Sequence, residues 1–131
     1  MAFIDELKFD QDGLIPAIAQ DADSGEVLMV AWMNREAVEK TCAKGLAHYY
    51  SRSRKKPWLK GEESGHLQHV LEMRTDCDGD VLLIKVRQES GACHTGYRSC
   101  FFKLRTSDGG LREDGVKAFD PGKVYRKALP T

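Results

Sequence analysis

A hairpin is written into residues 66–88, and the rest of the chain has to be arranged around it. Two strand-like runs, 66–75 and 80–88, flank Asp76-Cys77-Asp78-Gly79. Asp-Gly is a preferred pair for a tight hairpin turn, because both residues tolerate positive φ. The second run contains Val81-Leu82-Leu83-Ile84, which marks it as largely buried. The tip of this hairpin therefore carries a cysteine among three alternating aspartates, Asp76, Asp78 and Asp80. Shortly after its second strand come Gly91-Ala92-Cys93-His94-Thr95-Gly96 and then Cys100. Thiolates and imidazole are the ligands Zn²⁺ prefers, while carboxylates suit a hard cation such as Mg²⁺. One short region offers a soft site and a hard site side by side.

The flanking sequence supplies a mainly β framework. Residues 14–20 read as a strand, Asp21-Ala22-Asp23-Ser24-Gly25 as a turn, and the apolar run 27–33 as a buried strand that completes a second hairpin. Asn34 is placed to cap a helix over 35–44, with Glu36 in its first turn and Gly45 as the residue that ends it. Residues 46–51 return to strand, 53–65 read as an ordered functional loop, and 99–104 as a last strand. The expected fold is α+β, mainly β: a single small domain over 1–131 with one short helix. Its core lies at about 9–104, and 105–131 form a weakly defined C-terminal segment.

At 131 residues there is room for one core. Lys and Arg total 20 and Asp and Glu total 20, so the overall field does not hold an extended polyanion. A phosphorylated partner has to be recognised by a local patch. No apolar run approaches the ~20 residues of a membrane span. Residues 1–9 carry Asp5, Glu6 and Lys8 and lack an apolar signal core. The expected location is cytoplasmic, where structural disulfides are rare and clustered cysteines more often bind metal or do chemistry.

Fifteen residues separate Cys77 from Cys93 and six separate Cys93 from Cys100, with no Cys-x-x-Cys pair, so a zinc finger or ribbon is excluded. Metal binding, buried inert thiols and redox chemistry remain open; the adjacent His94 and the glycines at 91 and 96 favour metal. Cys42 lies on the apolar face of the helix and reads as a small buried hydrophobe. The aspartates do not make an EF-hand, because Val81 and Arg87 stand where Gly and Glu are needed. They are either an Mg²⁺ site completed by water and phosphate or a solvated acidic turn. Arg52, Arg54, Lys55, Lys56 and Lys60 cluster around Ser51, Ser53 and Trp58. Guanidinium forks match phosphate and an indole offers a stacking face, so this loop reads as a site for a small phosphorylated nucleotide or as a solvated basic loop.

Taken together, these motifs resemble the phosphoribosyl-AMP cyclohydrolase family of histidine biosynthesis, in its monofunctional form. The resemblance is carried by Ala31-Trp32-Met33-Asn34-Arg35-Glu36-Ala37, Tyr49-Tyr50-Ser51-Arg52-Ser53-Arg54, Trp58-Leu59-Lys60-Gly61-Glu62-Glu63-Ser64-Gly65-His66, Asp76 to Asp80, and Gly91 to Phe101. It implies hydrolysis of 1-(5-phosphoribosyl)-AMP, with metal-bound hydroxide attacking C6 and the adenine ring opening between N1 and C6. Cys77, Cys93 and Cys100 correspond to zinc ligands shared between two subunits, so an intertwined homodimer is implied with the metal site at its interface. Cys77 would come from one chain and Cys93 with Cys100 from the other. Asp76, Asp78 and Asp80 correspond to a magnesium site. His94 is the candidate for proton transfer, or else a fourth ligand or a support to the ligands. Arg52, Arg54, Trp58, Lys60 and Ser64 are the candidate substrate-binding residues. No nucleic acid or membrane partner is implied. A purine deaminase is the rival hydrolase, but its His-x-Glu and Pro-Cys-x-x-Cys segments are missing. A zinc-stapled module binding RNA or protein is the non-enzymatic alternative.

Overall fold

The computed structural model describes residues 2–124; Met1 and residues 125–131, the end of the predicted tail, lie outside the described residues. One turn of helix, α1 (Ala2–Asp5), precedes the hairpin of β1 (Leu14–Asp21) and β2 (Val27–Asn34). Next come α2 (Arg35–Lys44), the paired β3 (His48–Ser51) and β4 (Lys56–Leu59), and the hairpin of β5 (Gln68–Thr75) and β6 (Leu82–Gln88). The chain continues through β7 (Lys103–Arg105) and β8 (Leu111–Glu113) to a last helical turn, α3 (Pro121–Val124). The α+β, mainly β expectation holds, but α1 and α3 add two single turns to the one helix predicted.

The main sheet has the order β2-β1-β6-β5. Both hairpins pair antiparallel, and β1 joins them by pairing parallel to β6. Pro16 is tolerated in this central strand because the ladder to β6 starts only at Ala17; Pro16 itself faces Trp32 of β2. Ile15, Ala17 and Ala19 of β1 and Leu82, Ile84 and Val86 of β6 are fully buried in one core with Val38 of α2 and Tyr49 of β3. Each large aliphatic side chain buried in this way contributes about 1.5–3 kcal/mol relative to its exposed state.

Helix α2 keeps its predicted bounds. Asn34 Oδ1 accepts the Ala37 N–H at 2.8 Å, and the Gly45 N–H closes the helix on the Thr41 carbonyl. Three segments differ from expectation. The apolar β2 is not fully buried: it forms a sheet edge and leaves Val27 and Val30 41% and 48% exposed. The loop over 53–65 contains β4, because Tyr49 to Ser51 find ladder partners in Trp58 to Lys56. The last strand is shorter and later than 99–104, because Ser99 and Cys100 bond the edge of β2 instead. The Cys100 N–H donates to the Leu28 carbonyl at 2.7 Å and Ser99 Oγ donates to the Val27 carbonyl at 2.7 Å. Among the described residues, no helix is long and apolar enough to cross a membrane.

Candidate active site

The aspartates form a turn at the tip of the β5–β6 hairpin, not an extended strand. One carboxylate oxygen from each of Asp76, Asp78 and Asp80 lies within 4.8 Å of the others, and all three residues are exposed. The Asp80 N–H donates to Asp76 Oδ1 at 3.1 Å. Gly79 has φ +76°, and a Cβ there would stand 2.8 Å from the Glu6 carbonyl oxygen, so only glycine lets the segment after α1 close on this turn. The Lys8 N–H then donates to the Gly79 carbonyl at 2.7 Å. Crowding separates the carboxyls. Partial loss of solvent and the adjacent Asp76 carboxylate push Asp80 up. Asp76 also loses solvent, but the hydrogen bonds it accepts from the Asp80, Gly79 and Val81 region hold it below the usual range. A cation among the three would relieve that repulsion.

The cysteine turn stands at the other end of β6. Cys77 precedes Leu82 and Cys93 follows Gln88, so the seven residues of β6 separate the two turns by about 20 Å at ~3.3 Å per residue. Cys77, Cys93 and Cys100 accordingly do not gather as the aspartates do; among the described residues only the aspartates form such a cluster. Cys77 is exposed, whereas Cys93 is buried. Cys100 is exposed by surface area in the single chain, but its sulfur is crowded. Loss of solvent, followed by the charge and hydrogen bond of Cys93, raises its thiol to about 12, with Lys60 pulling the other way. Two thiols packed this closely, with a third at a hairpin tip, are a donor set that fits a soft metal such as zinc. All four cysteines are free.

The turn is fastened from two sides. The Ala92 N–H donates to Arg98 O at 2.8 Å and the Cys93 N–H to Tyr97 O at 3.1 Å. The segment after β8 straps across it: the Ala118 N–H donates to Gly96 O at 2.7 Å and the Arg98 N–H to Val116 O at 2.8 Å. A charged anchor ties the turn to β1, where Arg98 Nη2 donates to Asp21 Oδ1 at 2.9 Å. Burial pushes the Asp21 carboxyl up, but bonds from Ser24 and the charge of Arg98 outweigh this and hold it below its ordinary 3.8. A depressed folded pKa contributes stability above the unfolded value, and that stability is lost as pH falls through the folded one. Asp21→Asn should therefore destabilise the protein by about 1.5–3 kcal/mol near neutrality. In denaturant unfolding the gap from wild type should narrow from about pH 5 toward about pH 2. A gap of constant size would show that the carboxylate charge does not matter.

An open cleft of about 1290 Å³ is lined by residues from five parts of the chain. The β3–β4 hairpin and the loop after it bring Arg52, Arg54, Trp58, Lys60 and Ser64; the cysteine turn brings His94 and Cys100; β2 brings Val30 and Trp32; and α3 brings Pro121 and Gly122. Arg52 lies over the Trp32 ring, 4.4 Å from its centroid. Trp58 packs on buried Tyr49 at 5.0 Å, and Tyr49 Oη donates to Gln68 Oε1 at 2.7 Å. The Lys60 ammonium donates to the Ala92 carbonyl at 2.5 Å. Burial holds it below the usual lysine range, partly offset by the sulfurs of Cys100 and Cys93.

The family model for phosphoribosyl-AMP cyclohydrolase matches residues 29–102. A phosphoribosyl-AMP cyclohydrolase of Methanococcoides burtonii is 59% identical over 125 residues, which cover 95% of this chain and 100% of that protein. The chain belongs to the phosphoribosyl-AMP cyclohydrolase family. Proteins of the same name from Methanocella arvoryzae and Thiobacillus denitrificans are 60% and 55% identical, covering 88% and 95% of this chain and 94% and 98% of theirs.

Members of the cyclohydrolase family are enzymes, and the residues predicted for a site here fall into two groups. Arg52, Arg54, Trp58, Lys60, Ser64, His94 and Cys100 line one cleft, while Cys93 is buried with Tyr97 and Phe102. Cys77 and the three aspartates stand apart, at the far end of β6. Sequence reasoning missed Trp32, which was hidden inside an apolar run, and the wall made by Pro121 and Gly122, which read as punctuation in a polar tail. Only the match of Trp32 to the first family motif set it apart.

Proposed function

We infer that this chain catalyses the family's reaction, hydrolysis of 1-(5-phosphoribosyl)-AMP between N1 and C6 of the adenine ring, as a cytoplasmic homodimer of histidine biosynthesis. The observation that carries this reading is the cleft, where phosphate-matching arginines, an indole, a histidine and Cys100 meet from segments far apart in sequence. Cys93 and Cys100 of one subunit with Cys77 of another would hold zinc. The distance between the two turns supports the shared site, because no single chain can close three thiolates on one ion across the length of β6. The exposed apolar Val27 on β2 and Phe101 beside Cys100 support a protein partner at this end of the molecule.

Zinc, when bound, supplies a Lewis acid that lowers the pKa of water from 15.7 to about 7. The chain's own residues do the rest. Arg52, steadied on Trp32, and Arg54 on the exposed β3–β4 turn bind the substrate's phosphates, with Ser64 donating from the loop beyond β4. Trp58, backed by Tyr49, offers a flat surface for the purine. His94, exposed on the cleft wall, moves the proton between water and the purine nitrogen, a task an imidazole placed there can perform. Ring N1 leaves as C6 becomes a carbonyl, giving the imidazole carboxamide.

The deciding experiment is an ultraviolet assay with phosphoribosyl-AMP. Product absorbance should vanish with a zinc chelator and return with added zinc. Zinc-loaded dimer without turnover would overturn the reading. The aspartates would hold Mg²⁺, a hard cation suited to carboxylate oxygens, which would supply positive charge at the hairpin tip. Asp78→Asn should raise the Mg²⁺ concentration needed for half-maximal rate by on the order of tenfold, as loss of one charged ligand weakens a hard-cation site. An unchanged Mg²⁺ titration would remove the aspartates from the metal site.

A further inference from the structure

We propose that Lys60 is a positioning residue for the cysteine turn: its ammonium grips the carbonyl that leads into Cys93 and sets a positive charge beside the sulfurs. This rests on the reading of those sulfurs as zinc ligands. Of the five cations in the basic segment, Arg52, Arg54, Lys55 and Lys56 are exposed, and Lys60 alone is half-buried. Its root is pinned. The Lys60 N–H donates to the Ala47 carbonyl at 3.1 Å. The next residue, Gly61, has φ +92°, and a Cβ there would meet the His66 carbonyl carbon at 2.6 Å, so the chain can turn at this point only through glycine.

From that root the ammonium spans 32 positions of sequence to reach Ala92 O. Ala92 is 2% exposed and Cys93 5%, so the peptide between them is closed off from water. A buried carbonyl stripped of its donor is left unsatisfied, which would loosen the segment that aims Cys93. Charge adds a second effect. Three thiolates around a dication leave one net negative charge, and a neighbouring ammonium offsets it in a site of low dielectric. Groups that support metal ligands in this way matter by on the order of 10–100-fold in metal affinity. The grip also leaves Lys60 with fewer donors for a phosphate than its four neighbours have.

The test compares wild type, Lys60→Met and Lys60→Arg by zinc competition against a chromophoric chelator, and then by steady-state kinetics at saturating zinc. Lys60→Met should bind zinc on the order of 10–100-fold more weakly and lose kcat with KM nearly unchanged. Lys60→Arg, which keeps charge and donor, should recover most of the affinity. Zinc affinity equal to wild type in Lys60→Met, with a raised KM, would overturn the proposal and make Lys60 a phosphate ligand. Wild-type protein that binds no zinc would instead overturn the metal reading, and this proposal with it. Should Lys60→Met not fold, the ¹⁵Nζ resonance of Lys60 in zinc-loaded wild type decides. It should be sharp and slowly exchanging without phosphate; a signal that emerges only on adding inorganic phosphate would overturn the assignment.

Discussion

Cys93→Ser should lose zinc and turnover together, with kcat falling by on the order of 10³-fold or more. The magnitude follows from the hydroxide supply: a metal that brings the pKa of water from 15.7 to about 7 makes a nucleophile available at neutral pH that free water does not provide. Serine is nearly isosteric with cysteine, but its oxygen is not ionised at this pH and is a poor ligand for zinc. The fold should survive the change. The turn is held by the Ala92–Arg98 and Cys93–Tyr97 backbone bonds, which do not involve the side chain. The Cys93 sulfur contacts Thr95 Oγ1 at 2.9 Å, a partner a serine hydroxyl could also take. Metal analysis and the ultraviolet assay on the same preparation make the check. A variant that is free of zinc yet fully active would refute the role of the cysteine pair.

Mixing two inactive variants should restore activity. If Cys77 of one subunit completes the site built on Cys93 and Cys100 of another, Cys77→Ser and Cys93→Ser are each inactive as homodimers. In a mixed dimer, one site receives both defects and the other receives none. Random exchange makes half the dimers mixed, so about a quarter of wild-type activity and zinc should return. Co-refolding equal amounts of the two variants and titrating zinc per subunit measures this directly. No recovery in demonstrably mixed dimers would place all three ligands, or the whole of the chemistry, within one chain. Recovery would stand well above baseline, because homodimers of both variants lack a complete ligand set.

Local signals in the sequence were reliable where the physics is local. Asn34 and Gly45 bound α2 because capping depends on a few neighbouring amides. Asp78-Gly79 turns the β5–β6 hairpin because its backbone conformation is set within four residues. The basic residues of the β3–β4 turn read as an anion site from sequence, and three of them, Arg52, Arg54 and Lys56, line the cleft. The run 27–33 misled because periodicity records how apolar a strand is and not which protein mass covers it; β2 lies at an edge whose outer side the cysteine turn only partly occupies. The segment after residue 105 looked featureless because its anchoring is through backbone bonds to the cysteine turn, which leave no mark on side-chain composition.

The sequence by itself determined the family, the side-chain chemistry of the cysteine and aspartate sets and the positions of helix α2 and the two main hairpins, because each depends on residue type and short spacing. Only the tertiary structure decided that β1 pairs parallel to β6, joining the two hairpins into one sheet. That pairing depends on which buried faces fit together, information spread over Ile15 to Ala19 and Leu82 to Val86. It also fixed the length of β6 as a spacer that holds Cys77 and Cys93 apart within one chain. The inward turn of Lys60 was settled the same way, by a carbonyl and a glycine turn far from it in sequence.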